Sequence, residues 1–107
     1  MTQTEMLEVA YYLVRLRSGY ERDGEYFLFQ FNQPGTSEHK QKFYQLCCET
    51  CRLRIVRLDR MFDITADCAE QGVNAIEVLK CINFFLYNET NYDDIDYNTY
   101  RRYCEGK

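Results

Sequence analysis

Residues 25–32, EYFLFQFN, alternate Phe27, Phe29 and Phe31 with Tyr26, Leu28 and Gln30, and a period of two in an aromatic run predicts a β-strand. A similar pattern precedes it. In residues 8–17, EVAYYLVRLR, Ala10, Tyr12, Val14 and Leu16 fall on one face, with Arg15 and Arg17 on the other. Asp23-Gly24 tolerates the positive φ of a tight reversal, so the two runs are expected to pair as an antiparallel β-hairpin. A competing pattern occupies the same residues. Thr2 and Glu5 have the spacing of a capping box, and Glu, Met, Leu, Ala and Arg are good helix formers, so residues 4–17 also fit a helix ended by Gly19.

Beyond Pro34-Gly35 the period becomes helical, with Thr36 or Ser37 placed to cap the next element. Turning residues 40–62 by about 100° each gathers Phe43, Tyr44, Cys47, Cys48, Cys51, Ile55, Leu58, Met61 and Phe62 on one broad face, which predicts a long amphipathic helix with that face in the core. A thinner stripe, Leu46, Thr50, Leu53, Arg57 and Arg60, recurs at four- and three-residue spacing, as at a helix–helix seam. Asp63 or Thr65 is expected to open a brief turn ending at Gly72. Asn74 and Glu77 then have capping spacing ahead of a helix that buries Ala75, Val78, Leu79, Ile82, Phe85 and Leu86. Asp94 or Asp96 is placed to cap a last short helix with Tyr97, Tyr100 and Cys104 on one side. The fold class expected is α+β: an N-terminal antiparallel β-hairpin packed on a long amphipathic helix, followed by one medium and one short helix. An all-α bundle is the alternative.

A chain of 107 residues is the size of one domain, here residues 1–107. A hydrophobic fraction of 46% and an aromatic fraction of 16% exclude intrinsic disorder. The net charge of −4 argues against a nucleic-acid surface covering the whole molecule. The start MTQTEML lacks a basic region and a cleavage site, and no apolar run reaches the roughly 18 residues of a membrane span. A cytoplasmic or nuclear location is therefore expected, not a secreted one, with no membrane partner. The six cysteines then read as thiols, and the Asn88-Glu89-Thr90 sequon as a chance match.

The segment CCETC, residues 47–51, invites a metal reading because Cys48-x-x-Cys51 has the spacing of half a zinc site. The other half is missing: Cys68, Cys81 and Cys104 stand singly, and the flanks carry no Gly or Pro to converge the sulfurs. Packing as small hydrophobes is the favoured role. Nucleophilic catalysis fares no better. The single histidine, His39, lies eight residues from Cys47, about 12 Å along a helix, and no phosphate loop, His-Glu-x-x-His or Gly-x-Ser-x-Gly occurs. Arg52, Arg54, Arg57 and Arg60, with Lys40 and Lys42, make residues 40–60 locally basic, which supports nucleic-acid binding by the helix face at 52–60 as an alternative. Tyr92-Asp-Asp-Ile95 resembles a short phosphotyrosine ligand, and the many tyrosines suit packing and interfaces.

The function expected is a non-catalytic protein–protein interaction or regulatory module, without cofactor, metal or small-molecule substrate. The contact residues expected are Leu46, Thr50, Leu53, Arg57, Arg60 and Tyr92. The simplest partner is a second copy, and a small inhibitor or adaptor acting on a larger host or phage protein fits the same features. The alternatives are a nucleic-acid binder and a small zinc domain built on CCETC.

Overall fold

The computed structural model describes residues 1–88 and 95–106. Within them the chain forms four α-helices and no strand: α1 (Gln3–Phe31), α2 (Glu38–Glu70), α3 (Ala75–Tyr87) and α4 (Tyr97–Glu105). The α+β expectation is thereby corrected to an all-α fold.

Helix α1 starts where the competing pattern placed it. The Thr2 side chain accepts from the Glu5 N–H, and the Glu5 carboxylate accepts from the Thr2 N–H, so two otherwise orphaned donors are satisfied. The helix does not stop at Gly19, nor does the chain turn at Asp23-Gly24. It runs on through EYFLFQF because α2 lies alongside and packs against it. At Gly24 the backbones approach closely: a Cβ there would sit 3.6 Å from the Cys51 Cβ, and the Cys48 thiol lies 3.8 Å from the Gly24 carbonyl. Farther out, Phe27 stacks on Tyr44 at 6.4 Å between centroids. The alternating phenylalanines are therefore positions spread around a helix, with Phe27 half-buried against α2 and Phe29 exposed.

The true reversals use the glycines with positive φ. Gly35 (φ 78°) sits in the α1–α2 connection, where Ser37 caps α2 by accepting from the Lys40 N–H. Gly72 (φ 75°) ends α2 in a Schellman arrangement: the Gly72 N–H donates to Ala69 O and the Val73 N–H to Cys68 O. The turn expected from Asp63 or Thr65 is absent. Thr65 instead bonds back to Met61 O at 2.8 Å and is buried within the helix, so its hydroxyl is satisfied without breaking the backbone ladder. The later caps stand where the spacing placed them: Asn74 accepts from the Glu77 N–H, and Asp96 from the Asn98 N–H at 2.6 Å.

Helix lengths explain the shape. At 1.5 Å per residue α1 spans about 43 Å and α2 about 50 Å, against about 20 Å for α3, and the molecule is 54 Å long and 18 Å thick. The third helix therefore covers less than half of the α1–α2 hairpin. The core sits at that end, the base. Val9 and Leu13 of α1 meet Leu58, Met61, Ile64 and Cys68 of α2, Val78, Ile82, Phe85 and Leu86 of α3, then Ile95 and Tyr100. Beyond it, no residue from Leu16 to Phe31 or from Glu38 to Thr50 is buried. This half is a projecting two-helix arm, tied to the base by the Arg17–Asp59 ion pair at 2.7 Å.

No helix is long and apolar enough to cross a membrane among the described residues.

Candidate interaction surface on the helical arm

One stripe of α2 carries the site. Phe43, Leu46, Thr50, Leu53 and Arg57 succeed one another at three- and four-residue spacing, and Met61, Ile64 and Cys68 continue the same line. At the base the line is covered: Met61, Ile64 and Cys68 are buried in one cluster with α3. On the arm it is bare, with Phe43 58%, Leu46 62% and Leu53 50% exposed. The bed on which α3 lies thus continues uncovered for about 15 Å, from Leu53 to Phe43 at 1.5 Å per residue, with no helix of the described chain on it.

The structure sorts the expected contact residues. Leu46, Thr50 and Leu53 share the exposed stripe, and the Thr50 hydroxyl donates to Leu46 O at 2.9 Å, leaving a small apolar surface outward. Arg57 is only 7% exposed and donates to Leu86 O at 3.4 Å, where it satisfies a carbonyl at the end of α3 and marks the boundary between covered and bare halves. Arg60 is half-buried and pairs with Asp63 at 3.7 Å. Tyr92 lies outside the described residues, as do Glu89, Asp93 and Asp94. Phe43, assigned from the sequence to the core face, belongs to the exposed stripe. The projection error is small, since Phe43 stands at the edge of that face and no third helix reaches the arm to bury it.

The four arginines do not form one cationic surface. The Arg54 guanidinium lies 5.3 Å from the ring centres of both Tyr20 and Tyr87 and donates to the Tyr20 hydroxyl. Burial and a hydrogen bond with Tyr87 push the Tyr20 hydroxyl up to about 12. This tyrosine–arginine–tyrosine cluster closes the end of the three-helix base. With Arg57 buried and Arg60 half-buried, Arg52 is the one of the four that stands exposed on the arm. It lines a cleft of about 330 Å³ with Tyr20, Gly24, Leu28, Cys48 and Ile55.

Cys48 and Cys51 of CCETC lie against α1 at Gly24. Cys51 is buried and burial pushes its thiol up, away from the thiolate that metals and electrophiles require. Cys47 and Cys48 are half-buried. Among the described residues no group of three or more His, Cys, Asp or Glu side chains is arranged to hold a metal ion, and His39 is exposed at the start of α2.

Sequence reasoning missed two further features. Leu7, Tyr11 and Val14 form an exposed stripe on α1, at 65, 66 and 47% exposure, which reading residues 8–17 as a strand obscured. It occupies one helix only and gives way to Ser18 and Arg22. On α3, Ile76 and Tyr87 are exposed at 67 and 57%, and their spacing off the buried face was legible in the sequence.

Comparisons with protein-family models, with curated proteins and with solved structures gave no significant match.

Proposed function

We propose that this chain is a non-catalytic protein–protein interaction module that acts through the projecting arm and associates with a second copy of itself. One observation carries the reading: the α2 stripe that binds α3 at the base continues uncovered along the arm as Phe43, Leu46 and Leu53. Helices whose apolar stripe is exposed at seam spacing gain about 25 cal/mol for each Å² of apolar surface they bury against a partner. The charges of the arm are nearly balanced on both helices: Glu21, Asp23 and Glu25 against Arg17 and Arg22 on α1, and Lys40 and Lys42 against Glu38 and Glu49 on α2 up to Thr50. A balanced surface favours a partner of similar balance, such as a second copy, over one of strong single charge.

The chemistry at hand supports binding in preference to catalysis. The arm offers aromatic and aliphatic side chains, while the two core thiols of the base are pushed upward: Cys68 to about 11 and Cys81 to about 12, in both cases by burial first.

Leu46→Glu with Leu53→Glu tests the reading. Both side chains are exposed, so the variant keeps the helical circular dichroism of the wild type and loses self-association in light scattering. A variant that still associates like the wild type refutes the assignment of the arm stripe.

A further inference from the structure

Independently of the arm, we infer that α4 is a releasable strap: it comes away from α3 as one piece while the α1–α2 hairpin and α3 stay folded, and its release uncovers the face of α3 that carries Glu77, Cys81 and Phe84.

What α4 covers follows from its neighbours. Glu77, Cys81 and Phe84 succeed one another on α3 at spacings of four and three and so share one face. The Phe84 ring lies 5.5 Å from the ring of Tyr100 and 4.5 Å from that of Tyr103. One turn earlier, Cys81 is 1% exposed. Burial comes first in raising its thiol to about 12, and Cys68, Asp96 and Cys104 beside it act in the same direction. Burial also leads in raising the Tyr100 hydroxyl to about 12, with Cys104 and then Glu77 adding to it. Groups of the α4 segment thus stand around Cys81 and close this face.

What holds α4 in place is narrow. It has nine residues, fewer than the about 12–15 that a helix needs to persist alone in water, so its order comes from docking. Tyr100 is its one buried residue. Several of its polar groups bond within the segment itself: the Asn98 N–H donates to Asp96, Arg102 to Thr99 and Arg101 to Glu105. On the side of α2, the start of α4 borders a cleft of about 210 Å³ with Arg60, Ile64 and Asp67. Ile95, 0% exposed, fixes the chain in the base core just ahead of α4, so the part able to come away is the helix beyond it.

The other helices are held more broadly. The hairpin packs along its length, and α3 stays on it through Val78, Ile82, Phe85 and Leu86 and through the Leu86 carbonyl that Arg57 holds. Elements with few buried contacts open before elements with many, which places release of α4 ahead of global unfolding.

Cys81 reports the release, because its thiol is reached only when its cover is gone. In Cys104→Ser, chosen so that no exposed thiol on α4 is modified first, iodoacetamide labelling of Cys81 in native buffer is followed by peptide mapping alongside amide hydrogen exchange. Labelling is expected at least about ten times faster than global unfolding allows, with a rate that hardly changes in low urea, while the amides of residues 78–85 stay protected. Tyr100→Ala in that background removes the buried ring and should speed labelling at least about tenfold. Tyr103→Ala removes a ring that is 45% exposed, which spares the fold, and should speed it about threefold through the lost aromatic pair. Cys81 labelling that occurs only together with loss of α3 amide protection, or that neither tyrosine variant accelerates, overturns the strap and makes α4 part of one cooperative unit with α3.

Discussion

Replacing both interior glycines of α1, Gly19→Ala with Gly24→Ala, should make the protein more stable. In a helix interior glycine costs about 0.5–1 kcal/mol relative to alanine, because its backbone loses more freedom on folding. Whether that gain is realised depends on room for the new methyl groups. At Gly19 nothing lies within 4 Å of a built Cβ, and at Gly24 the nearest atom, the Cys51 Cβ, is at 3.6 Å, an ordinary van der Waals contact. Neither glycine has positive φ. The two changes therefore add about 1–2 kcal/mol, and with a shift of about 4–8 °C per kcal/mol for a domain of this size the melting temperature should rise by about 4–16 °C. Thermal unfolding followed by helical circular dichroism measures this. The hairpin reading requires the opposite sign, since Asp23-Gly24 would then be a reversal relying on glycine. A fall in melting temperature would refute the continuous helix.

Other outcomes rest on the same arrangement. Phe85→Ala, at the centre of the base core and 1% exposed, should cost about 3–5 kcal/mol in denaturant unfolding, whereas Leu46→Ala on the arm should stay within about 0.5 kcal/mol when measured on the monomer. Equal losses would contradict the division into base and arm. Alkylation at neutral pH should modify the exposed Cys104 before the buried Cys68 and Cys81, which peptide mapping resolves; early labelling of Cys81 would contradict its burial. Stability should also fall in alkali. Cys68 and Cys81 keep their protons in the folded state up to about 11 and about 12, from an ordinary 9.0, whereas the unfolded chain ionises from about pH 9. Unfolding thus releases protons across that window, and the stability present below about pH 9 is lost as pH rises through it. Denaturant midpoints that stay constant from about pH 8 to about pH 11 would contradict the raised thiols.

Local signals in the sequence reported the helix boundaries well where they rested on capping chemistry. Thr2 with Glu5, Ser37, Asn74 and Asp96 all cap as their spacing implies, because a cap is decided by a few neighbouring atoms. The stretch Glu25–Asn32 misled for a physical reason. Phe27, Phe29 and Phe31 alternate as in a strand, yet a helix dense in aromatic and aliphatic residues also satisfies that pattern, and the partner that decides the matter is α2, beyond the next reversal. Arg57 shows the limit for the site. Its spacing put it on the seam, but only the position of the α3 C-terminus reveals that it is buried on Leu86 O. The exposure of Phe43 was hidden likewise, since the sequence does not state how far α3 reaches along the hairpin.

Sedimentation equilibrium of the reduced wild-type protein over a wide concentration range tests the self-association most directly. The arm surface predicts a mass that rises with concentration from 12.9 kDa toward twice that value and goes no further, as a closed two-fold contact requires. A constant 12.9 kDa throughout would contradict it.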